Sequence, residues 1–248
     1  MMKKILMICL LTCGVFLAQQ TLAENYSVGG DNPDFSTIQG ALNGSVSGDY
    51  IIINDGTYIE DLTINHNVTL TGNVNDYTAV IIEGKVAITK GTKAEITYLT
   101  IDAAGKPYAV QTRGMTIIKY GDIQNGFQGI IVKPVGILSM YGQIVQGATR
   151  NGIVSWKKGR IAVENSTIKN NGWAGVKVVK NKKKMRVADT TLENNHLGIV
   201  LKHSRTANNE IWRDTFDSNE IGIKYFSCVA SEISNTFTDN TEDTVIIP

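Results

Sequence analysis

Apolar and polar residues alternate in short runs along the second half of the chain. In residues 160–164 and 175–179, β-branched and other apolar side chains stand at every second position. Alternation with a period of two predicts strands with one buried face, and no repeat of this half carries the longer period of an amphipathic helix. We therefore predict an all-β fold built from short strands.

The same half of the chain repeats. A glycine followed by a β-branched residue recurs at intervals of 23, 23, 23 and 24 residues, at Gly129, Gly152, Gly175, Gly198 and Gly222. A second marker, an apolar residue, runs in step at Ile123, Ile144, Ile168, Leu192, Phe216 and Phe237. Short strands that return with one period predict a solenoid, in which coils stack at the ~4.8 Å spacing of neighbouring strands. Equivalent residues of successive coils then lie directly above one another.

Asparagines mark one turn of each repeat. Asn171, Asn195, Asn219 and Asn240 occupy the same point of four successive repeats. Asparagine tolerates left-handed backbone and bonds to nearby backbone groups. Because stacked asparagines also bond along their column, we predict an asparagine ladder here.

The first half of the chain is less regular, and a helix is predicted near its start. Phe35, Ile38 and Leu42 lie on one face of a helix within residues 34–42, and Ser36 with Gln39 forms a capping box. A solenoid needs its end covered, so this helix is the predicted cap. Strands are expected at residues 50–53, 62–64, 68–70, 80–82 and 96–101.

Three segments near the start resemble the pectin-lyase-like superfamily. Residues 34–39 are similar to its Phe-x-Thr-Ile-Gln start, residues 51–60 to its strand and Gly-x-Tyr-x-Glu turn, and residues 68–72 to its next strand and glycine turn. The repeats after Gly121 resemble its generic repeat, so that the resemblance covers most of the mature chain. It implies a right-handed parallel β-helix of about nine coils and an acidic polysaccharide as substrate. It does not imply a reaction, because enzymes and non-enzymes share these signatures.

The catalytic motifs of the named subfamilies have no full counterpart. The Gln-Ala-Val-Ala and paired aspartate motifs of pectin methylesterases are absent, and so are the Gly-His-Gly of polygalacturonases and the Asp-Pro-His-Asp of alginate epimerases. Gly121-Asp122 matches only a fragment of the polygalacturonase Gly-Asp-Asp. The sequence therefore leaves open whether the protein is an enzyme.

The start of the chain has the pattern of an export signal. Lys3 and Lys4 precede an apolar run at residues 5–18, and small residues end at Ala23. This run is shorter than the ~20 residues that a membrane span needs. We therefore expect residues 1–23 to be a signal peptide, residues 24–248 to form one β-helix domain, and the protein to be a secreted or periplasmic monomer without a membrane span.

Charge is distributed unevenly over the 248 residues. The net charge of +1 excludes a globally basic nucleic-acid-binding protein, but residues 150–224 contain 15 basic and 7 acidic residues, a net charge of +8. An exported protein rarely meets nucleic acid as a substrate. We therefore expect an acidic polysaccharide as the partner and no nucleic acid.

Stacking of the repeats gathers many of these cations on the outside of the solenoid. We call this set the basic strip; its members are Trp156, Lys157, Lys177, Lys180, Lys202, His203, Lys224 and Phe226. Aromatic faces stack on sugar rings, and lysine and arginine pair with carboxylates. The candidate substrate-binding residues are Trp156, Lys157, Lys180, Phe226 and Arg186, which ends a basic run in the turn at residues 180–186.

β-Elimination of uronic acids requires a base and a cation on the carboxylate. A lysine crowded by other cations has a lowered pKa and can act as the base. The candidate catalytic residues are therefore Lys177, Lys202, Lys224 and the nearby His203.

Other chemistries stay open at this point. Asp189, Asp214 and Asp217 offer carboxylates for hydrolysis, although no pair stands out. No metal site or cofactor is expected, because His66, His196 and His203 have no ligand spacing. A calcium ion would rely on Glu193 and Asp217, which are one coil apart, but a ladder of ion pairs with Lys169 also explains these residues. A non-catalytic glycan-binding protein and a purely structural solenoid are the alternatives to a lyase.

Overall fold

A computed structural model describes residues 22–181, 183–204, 209–228 and 230–248. Most of the expected signal peptide, residues 1–21, therefore lies outside the described residues. The helix is α1 (Ile38–Gly44). The strands are β1 (Asn25–Val28), β2 (Tyr50–Ile53), β3 (Gly56–Tyr58), β4 (Leu62–Ile64), β5 (Val68–Thr71), β6 (Val80–Glu83), β7 (Val86–Ile88), β8 (Lys93–Thr97), β9 (Thr100–Asp102), β10 (Tyr108–Thr112), β11 (Met115–Lys119), β12 (Asp122–Gln124), β13 (Gln128–Val132), β14 (Ile137–Tyr141), β15 (Ile144–Gln146), β16 (Asn151–Trp156), β17 (Arg160–Glu164), β18 (Thr167–Lys169), β19 (Ala174–Val179), β20 (Met185–Ala188), β21 (Thr191–Glu193), β22 (Leu197–Lys202), β23 (Asn209–Trp212), β24 (Thr215–Asp217), β25 (Ile221–Phe226), β26 (Ser231–Ile233), β27 (Thr236–Thr238) and β28 (Glu242–Ile247).

The strands form three parallel sheets, and each coil adds one strand to each sheet. Sheet 1 has nine strands in the order β4-β7-β10-β13-β16-β19-β22-β25-β28. Sheet 2 has ten, in the order β1-β2-β5-β8-β11-β14-β17-β20-β23-β26. Sheet 3 has nine, in the order β3-β6-β9-β12-β15-β18-β21-β24-β27. The predicted parallel β-helix of about nine coils is confirmed.

The two repeat markers contact each other inside the solenoid. A Cβ atom on Gly175 would lie 2.8 Å from the carbonyl oxygen of Gly198 and 3.1 Å from the side chain of Leu192. A Cβ atom on any of the other four repeat glycines would meet the same two kinds of neighbour. One is a backbone carbonyl of the next coil, and the other is the side chain of the apolar marker in the glycine's own coil. Glycine is needed here because the adjoining coils approach too closely for a side chain.

The assignment of Ile144 to the marker column was wrong by one residue. The column runs from Ile123 through Val145 to Ile168, since these three residues are paired across β12, β15 and β18. Val145 is fully buried, whereas Ile144 is only partly buried and faces outward. Ile144 and Val145 are adjacent and both apolar, so either one fits the repeat period. Only the register of the strands shows which of the two faces the interior.

The asparagine ladder is confirmed. The side-chain amide of Asn171 donates to Oδ1 of Asn195 at 3.0 Å, that of Asn195 to Asn219 at 3.3 Å, and that of Asn219 to Asn240 at 3.1 Å. Each of these oxygens also accepts a hydrogen bond from the backbone N–H of the asparagine one coil earlier. The ladder thus satisfies polar groups at a buried turn, where they have no water to bond.

A second polar column lies inside the turn between sheets 2 and 3. It contains Gln143, Ser166, Thr190 and Asp214, all of which are buried, and ends at Asn235. The backbone N–H of Thr190 donates to Oδ1 of Asp214 at 2.8 Å, and that of Asp214 donates to Oδ1 of Asn235 at 3.0 Å. The three coils that contain Thr190, Asp214 and Asn235 are therefore bonded to one another through side-chain oxygens.

The predicted cap is α1, which packs against β1, β2 and β4 and buries Ile38 and Leu42. The proposed capping box was wrong, because the N-cap residue is Thr37, whose hydroxyl accepts from the N–H of Gly40. The carboxylate of Glu60, from the Gly-x-Tyr-x-Glu segment, accepts from the N–H groups of Ile38 and Gln39 at 2.9 Å each. This segment therefore fastens the cap to the first coil.

The strand prediction for the first part of the chain was incomplete. Residues 96–101 are not one strand, since Tyr98 has a left-handed backbone (φ 56°) that ends β8 and starts the turn to β9. β1 was not predicted, and it pairs with β2 at the end of sheet 2. The three-residue strands of sheet 3 are too short for alternation to reveal them all.

Candidate functional site

The basic strip lies on the outer face of sheet 1, at the ends of its strands. Register places Lys177, Val200 and Lys224 in one outward column. It places Trp156, Val179, Lys202 and Phe226 in the next, and these end at the turn towards sheet 2. The alternating residues between the two columns point into the solenoid and are buried.

The three lysines that were predicted to be catalytic line one cleft of about 250 Å³ on this face. We call it the lysine cleft. Its lining residues are Trp173, Lys177, His196, Leu197, Val200, Lys202, Glu220, Ile221, Lys224 and Phe226. Lys177, Lys202 and Lys224 come from three successive strands, β19, β22 and β25, and therefore project from adjacent coils.

The floor of the lysine cleft is apolar. Leu197, Val200 and Ile221 point out of the solenoid, yet they are at most 5% exposed. They form a small cluster with Ala174, and Phe226 packs against it. An apolar floor beneath charged rims suits a ligand with one apolar face, and it also receives the aliphatic stems of the lysines.

Cations and aromatic rings meet at one end of the cleft. Nζ of Lys202 lies 5.2 Å and Nζ of Lys224 lies 5.7 Å from the centroid of the Phe226 ring. The pKa of Lys177 is lowered from its ordinary value, chiefly because the side chain is partly buried and further because Arg150 and Lys202 are nearby cations. A lysine with a lowered pKa has a larger neutral fraction at a given pH and is a better base.

The other wall contains residues that sequence reasoning missed. Nδ1 of His196 lies 2.5 Å from a carboxylate oxygen of Glu220, and the ring of Trp173 packs on the ring of His196 with centroids 4.6 Å apart. The three residues directly precede β19, β22 and β25, so they stack one coil apart. The period of the repeat applied to the residue before each strand would have found them.

The remaining members of the basic strip lie outside the cleft lining. Lys157, Lys180 and His203 each have a left-handed backbone, with φ of 61°, 51° and 51°, in the turn after the strand. Trp156 is two coils from Lys202, and Nζ of Lys133 lies 5.4 Å from its ring centroid.

Arg186 belongs to a different face from the one predicted. It lies in β20 on sheet 2, so the turn ends before Met185 and does not extend to residue 186. Its guanidinium lies 3.4 Å from Glu164 and over the ring of Trp212 at 5.2 Å. Lys182, in the same basic run, lies outside the described residues.

The carboxylates singled out in the sequence are dispersed. Glu193 and Asp217 are paired across β21 and β24, and each accepts a hydrogen bond from the residue that follows it. Within the described ranges, no ion pair joins Lys169 to Glu193, and no group of three or more His, Cys, Asp and Glu side chains could hold a metal ion. Asp189 is paired with Arg213, and Asp214 is buried in the turn column.

Comparisons with known proteins agree with this architecture. A family model described as "Right handed beta helix region" matches residues 108–246. Among solved structures, the chain is similar to the pectin methylesterase of Aspergillus niger, with 17% identity, 89% of each chain covered and a TM-score of 0.69. It is also similar to the pectin methylesterase of carrot, with 14% identity, 92% and 89% covered and a TM-score of 0.55.

A third similar structure is a variant of a PL6-family alginate lyase. Identity is 11%, the alignment covers 90% of this chain and 40% of the lyase, and the TM-score is 0.51. No curated protein sequence matches the chain. Because the family model covers more than half of the chain and the three sheets have the matching topology, the protein belongs to the right-handed β-helix family, with the fold of the pectin-lyase-like superfamily.

Proposed function

We propose that this protein binds an acidic extracellular polysaccharide in the lysine cleft and cleaves it by β-elimination. The observation that carries the proposal is the convergence of Lys177, Lys202 and Lys224 on one cleft that also contains Trp173 and Phe226. Lysines pair with uronate carboxylates, and the faces of aromatic rings stack on the faces of sugar rings. The pectin methylesterases and the alginate lyase of similar fold support this substrate class.

The proposed roles follow from the surroundings of each lysine. Lys202 and Lys224 hold the uronate carboxylate and stabilise the negative charge that develops on it. Lys177, whose pKa is lowered, takes the proton from the carbon next to the carboxylate. The electron pair of that C–H bond forms a carbon–carbon double bond, the bond to the glycosidic oxygen breaks, and the leaving oxygen takes a proton from water.

Replacing Lys177 tests the catalytic part. Lys177→Ala should lower turnover of polygalacturonate or alginate at least about a hundredfold, because a positioned base contributes ~10²–10⁴. Turnover is read from the ultraviolet absorbance of the unsaturated product. The double variant Lys202→Ala, Lys224→Ala should instead weaken binding, and more so at low salt. Lys157→Ala is the matched control, since Lys157 is a cation of the same face outside the cleft lining.

Two outcomes would contradict the proposal. If the double variant bound uronate oligomers as well as the parent, the cleft would not be the binding site. If the parent bound them but released no unsaturated product, the protein would be the non-catalytic glycan-binding alternative.

One observation favours that alternative over hydrolysis. Among the residues that line the cleft, Glu220 is the single carboxylate, and its partner is His196. Hydrolysis of a glycosidic bond by the two-carboxylate route needs a second one. A binding protein would use the same lysines and rings without needing the lowered pKa of Lys177.

Export of the protein is also a proposal. The basic start, the apolar run and the small residues up to Ala23 motivate cleavage after Ala23. No helix of the described residues is long and apolar enough to cross a membrane. Mass spectrometry of protein recovered outside the producing cell's cytoplasm should find an N-terminus at Glu24, whereas an intact Met1 would contradict the prediction.

A further inference from the structure

A second groove runs over the outer face of sheet 2, away from the lysine cleft. Two adjoining depressions of about 330 and 430 Å³ share Lys119 and Tyr120 as lining residues. Together they extend from β2 to β17, across six strands of the sheet and therefore along the axis of the solenoid. We call them the tyrosine groove, because Tyr50, Tyr98, Tyr120 and Tyr141 line it.

Two of these tyrosines have a backbone conformation that tyrosine disfavours. Tyr98 and Tyr120 have φ of 56° and 54°, in the turn from sheet 2 to sheet 3. The next three coils have Gly142, Asn165 and Asp189 at this point, which are residue types that tolerate left-handed backbone, and the two coils after them have Arg213 and Ser234. The left-handed residue is therefore a regular feature of this turn, and in two adjacent coils it is a tyrosine.

The tyrosine rings form a continuous, partly exposed surface. The rings of Tyr98 and Tyr120 stack with centroids 5.2 Å apart and planes 14° apart, and Tyr141 meets Tyr120 edge to face at 5.7 Å. Tyr120 and Tyr141 are 39% and 40% exposed. Gly142 makes room for this arrangement, because a Cβ atom there would lie 2.8 Å from the Tyr120 ring.

The rest of the groove is small and polar, and its charges are paired. Thr69, Thr97 and Ser139 contribute hydroxyl groups to the lining. Nζ of Lys119 lies 2.8 Å from the carboxylate of Glu95, and Arg186 lies 3.4 Å from Glu164. The groove thus offers partly exposed tyrosine rings and hydrogen-bonding groups without an excess of either charge, whereas the lysine cleft is cationic.

We propose that the tyrosine groove binds a neutral, linear polysaccharide along the axis of the solenoid. Partly exposed tyrosine rings on neighbouring coils offer apolar contacts at the coil spacing of ~4.8 Å, which is close to the length of one sugar residue in an extended chain. Hydroxyl and paired charged groups bond the sugar hydroxyls. A uronate chain fits less well, because the cations Lys119 and Arg186 are already paired with Glu95 and Glu164 and leave no net positive charge for its carboxylates. This site does not depend on the function proposed for the lysine cleft.

Replacing both stacked tyrosines by asparagine tests the inference. Asn165 occupies the equivalent turn position, so Tyr98→Asn with Tyr120→Asn should preserve the fold, which an unchanged or higher thermal midpoint would show. Calorimetric titration with cellohexaose, mannohexaose and xylohexaose should detect binding of at least one by the parent. The double variant should bind it at least about tenfold more weakly, since two ring contacts are lost.

Two control variants test whether the tyrosine rings themselves, rather than their hydroxyl groups or the lysine cleft, account for the binding. Tyr98→Phe with Tyr120→Phe keeps the rings and should retain most of the affinity. Lys177→Ala with Lys202→Ala changes only the lysine cleft and should leave binding of the neutral hexamer unchanged. Binding should also vary little between low and high salt, because no net charge is neutralised.

The inference fails if the parent binds none of the three neutral hexamers. It also fails if the asparagine variant binds the hexamer as well as the parent does. It fails equally if the lysine variant no longer binds the hexamer, because the binding site would then be the lysine cleft on sheet 1.

Discussion

Raising the pH from about 4 to 8 should destabilise this protein, and Asp214→Asn should remove most of that loss. The side chain of Asp214 is fully buried, and its burial raises the pKa to about 7 from the ordinary 3.8. Repulsion by Asp189 adds to the effect, while Arg213 and backbone N–H donors oppose it. In the unfolded chain the carboxyl regains its ordinary pKa.

The sign of the effect follows from proton release. Between pH 4 and 7 the folded protein keeps a proton on Asp214 that the unfolded chain has already lost, so unfolding releases a proton and becomes easier as the pH rises. The contribution is fully present below pH 3.8 and is lost as the pH passes through about 7. A difference of about three pKa units corresponds to ~4 kcal/mol of unfolding free energy.

Asparagine fits this position because the column already contains one. The side-chain amide of Asn235, one coil further on, donates to the carbonyl of Ile211 at 3.1 Å. Val187 is paired with Ile211 in the neighbouring strand, so its carbonyl is the equivalent acceptor for an asparagine at position 214. The retained Oδ1 would still accept from the N–H of Thr190.

Urea unfolding at several pH values between 4 and 8.5 measures this prediction. Asp214→Asn should be more stable than the parent at pH 8 and should show a much flatter dependence on pH. A residual slope of the same sign is expected, because burial also raises the pKa of Asp122. Asp239→Asn, at an exposed turn position, should keep the dependence of the parent. Equal slopes for Asp214→Asn and the parent would show that Asp214 is not the titrating group.

Asn195→Ala should lower the unfolding free energy by about 3 kcal/mol. The Oδ1 atom of Asn195 accepts two hydrogen bonds from Asn171, and its amide donates to the carbonyl of Ile168 at 2.9 Å and to Asn219 at 3.3 Å. Alanine removes all of these bonds at a site that is 3% exposed, so several buried polar groups lose a partner, each at a cost of ~1–3 kcal/mol. Relaxation and water entry should recover part of the sum.

Chemical denaturation of the variant measures the loss, with Asn43→Ala as the control. Asn43 is an exposed asparagine of α1 and should change stability by no more than ~0.5 kcal/mol. A loss below 1 kcal/mol for Asn195→Ala would show that the ladder contributes little to stability.

The fold was predictable because the solenoid repeats its contacts. The glycine period and the asparagine column each report a contact between a residue and its equivalent one coil away, so both give the same register, and the apolar marker agrees with them except at Ile144. Where the contacts do not repeat, prediction failed. The first N–H groups of α1, at Ile38 and Gln39, donate to Glu60, which lies 21 to 22 residues away, and no local signal indicates such a distant partner.

The lysine cleft was predictable only in part. Register placed Lys177, Lys202 and Lys224 on one face, and the structure brings them to one cleft. Two further observations required the structure. The outward-facing Val200 is buried by neighbours rather than exposed, and Trp173 with His196 enters the site from the turn before the strands. Arg186 was assigned to the turn although it lies in β20, because a run of basic residues does not show where a turn ends and the next strand begins.

The contacts that the repeat glycines, the apolar markers and the ladder asparagines make between coils limit which insertions and deletions the chain tolerates. The glycine and asparagine contacts join a residue to the same position one coil on, so deletion of a whole coil gives every remaining residue an equivalent neighbour, whereas deletion of part of a coil mismatches them. The turn between sheets 1 and 2 lies outside these contacts, and it has three residues after β16 but five after β19. Modular growth by coils, together with variation in the length of this turn, is a route by which the fold can gain new binding surface without rebuilding its interior.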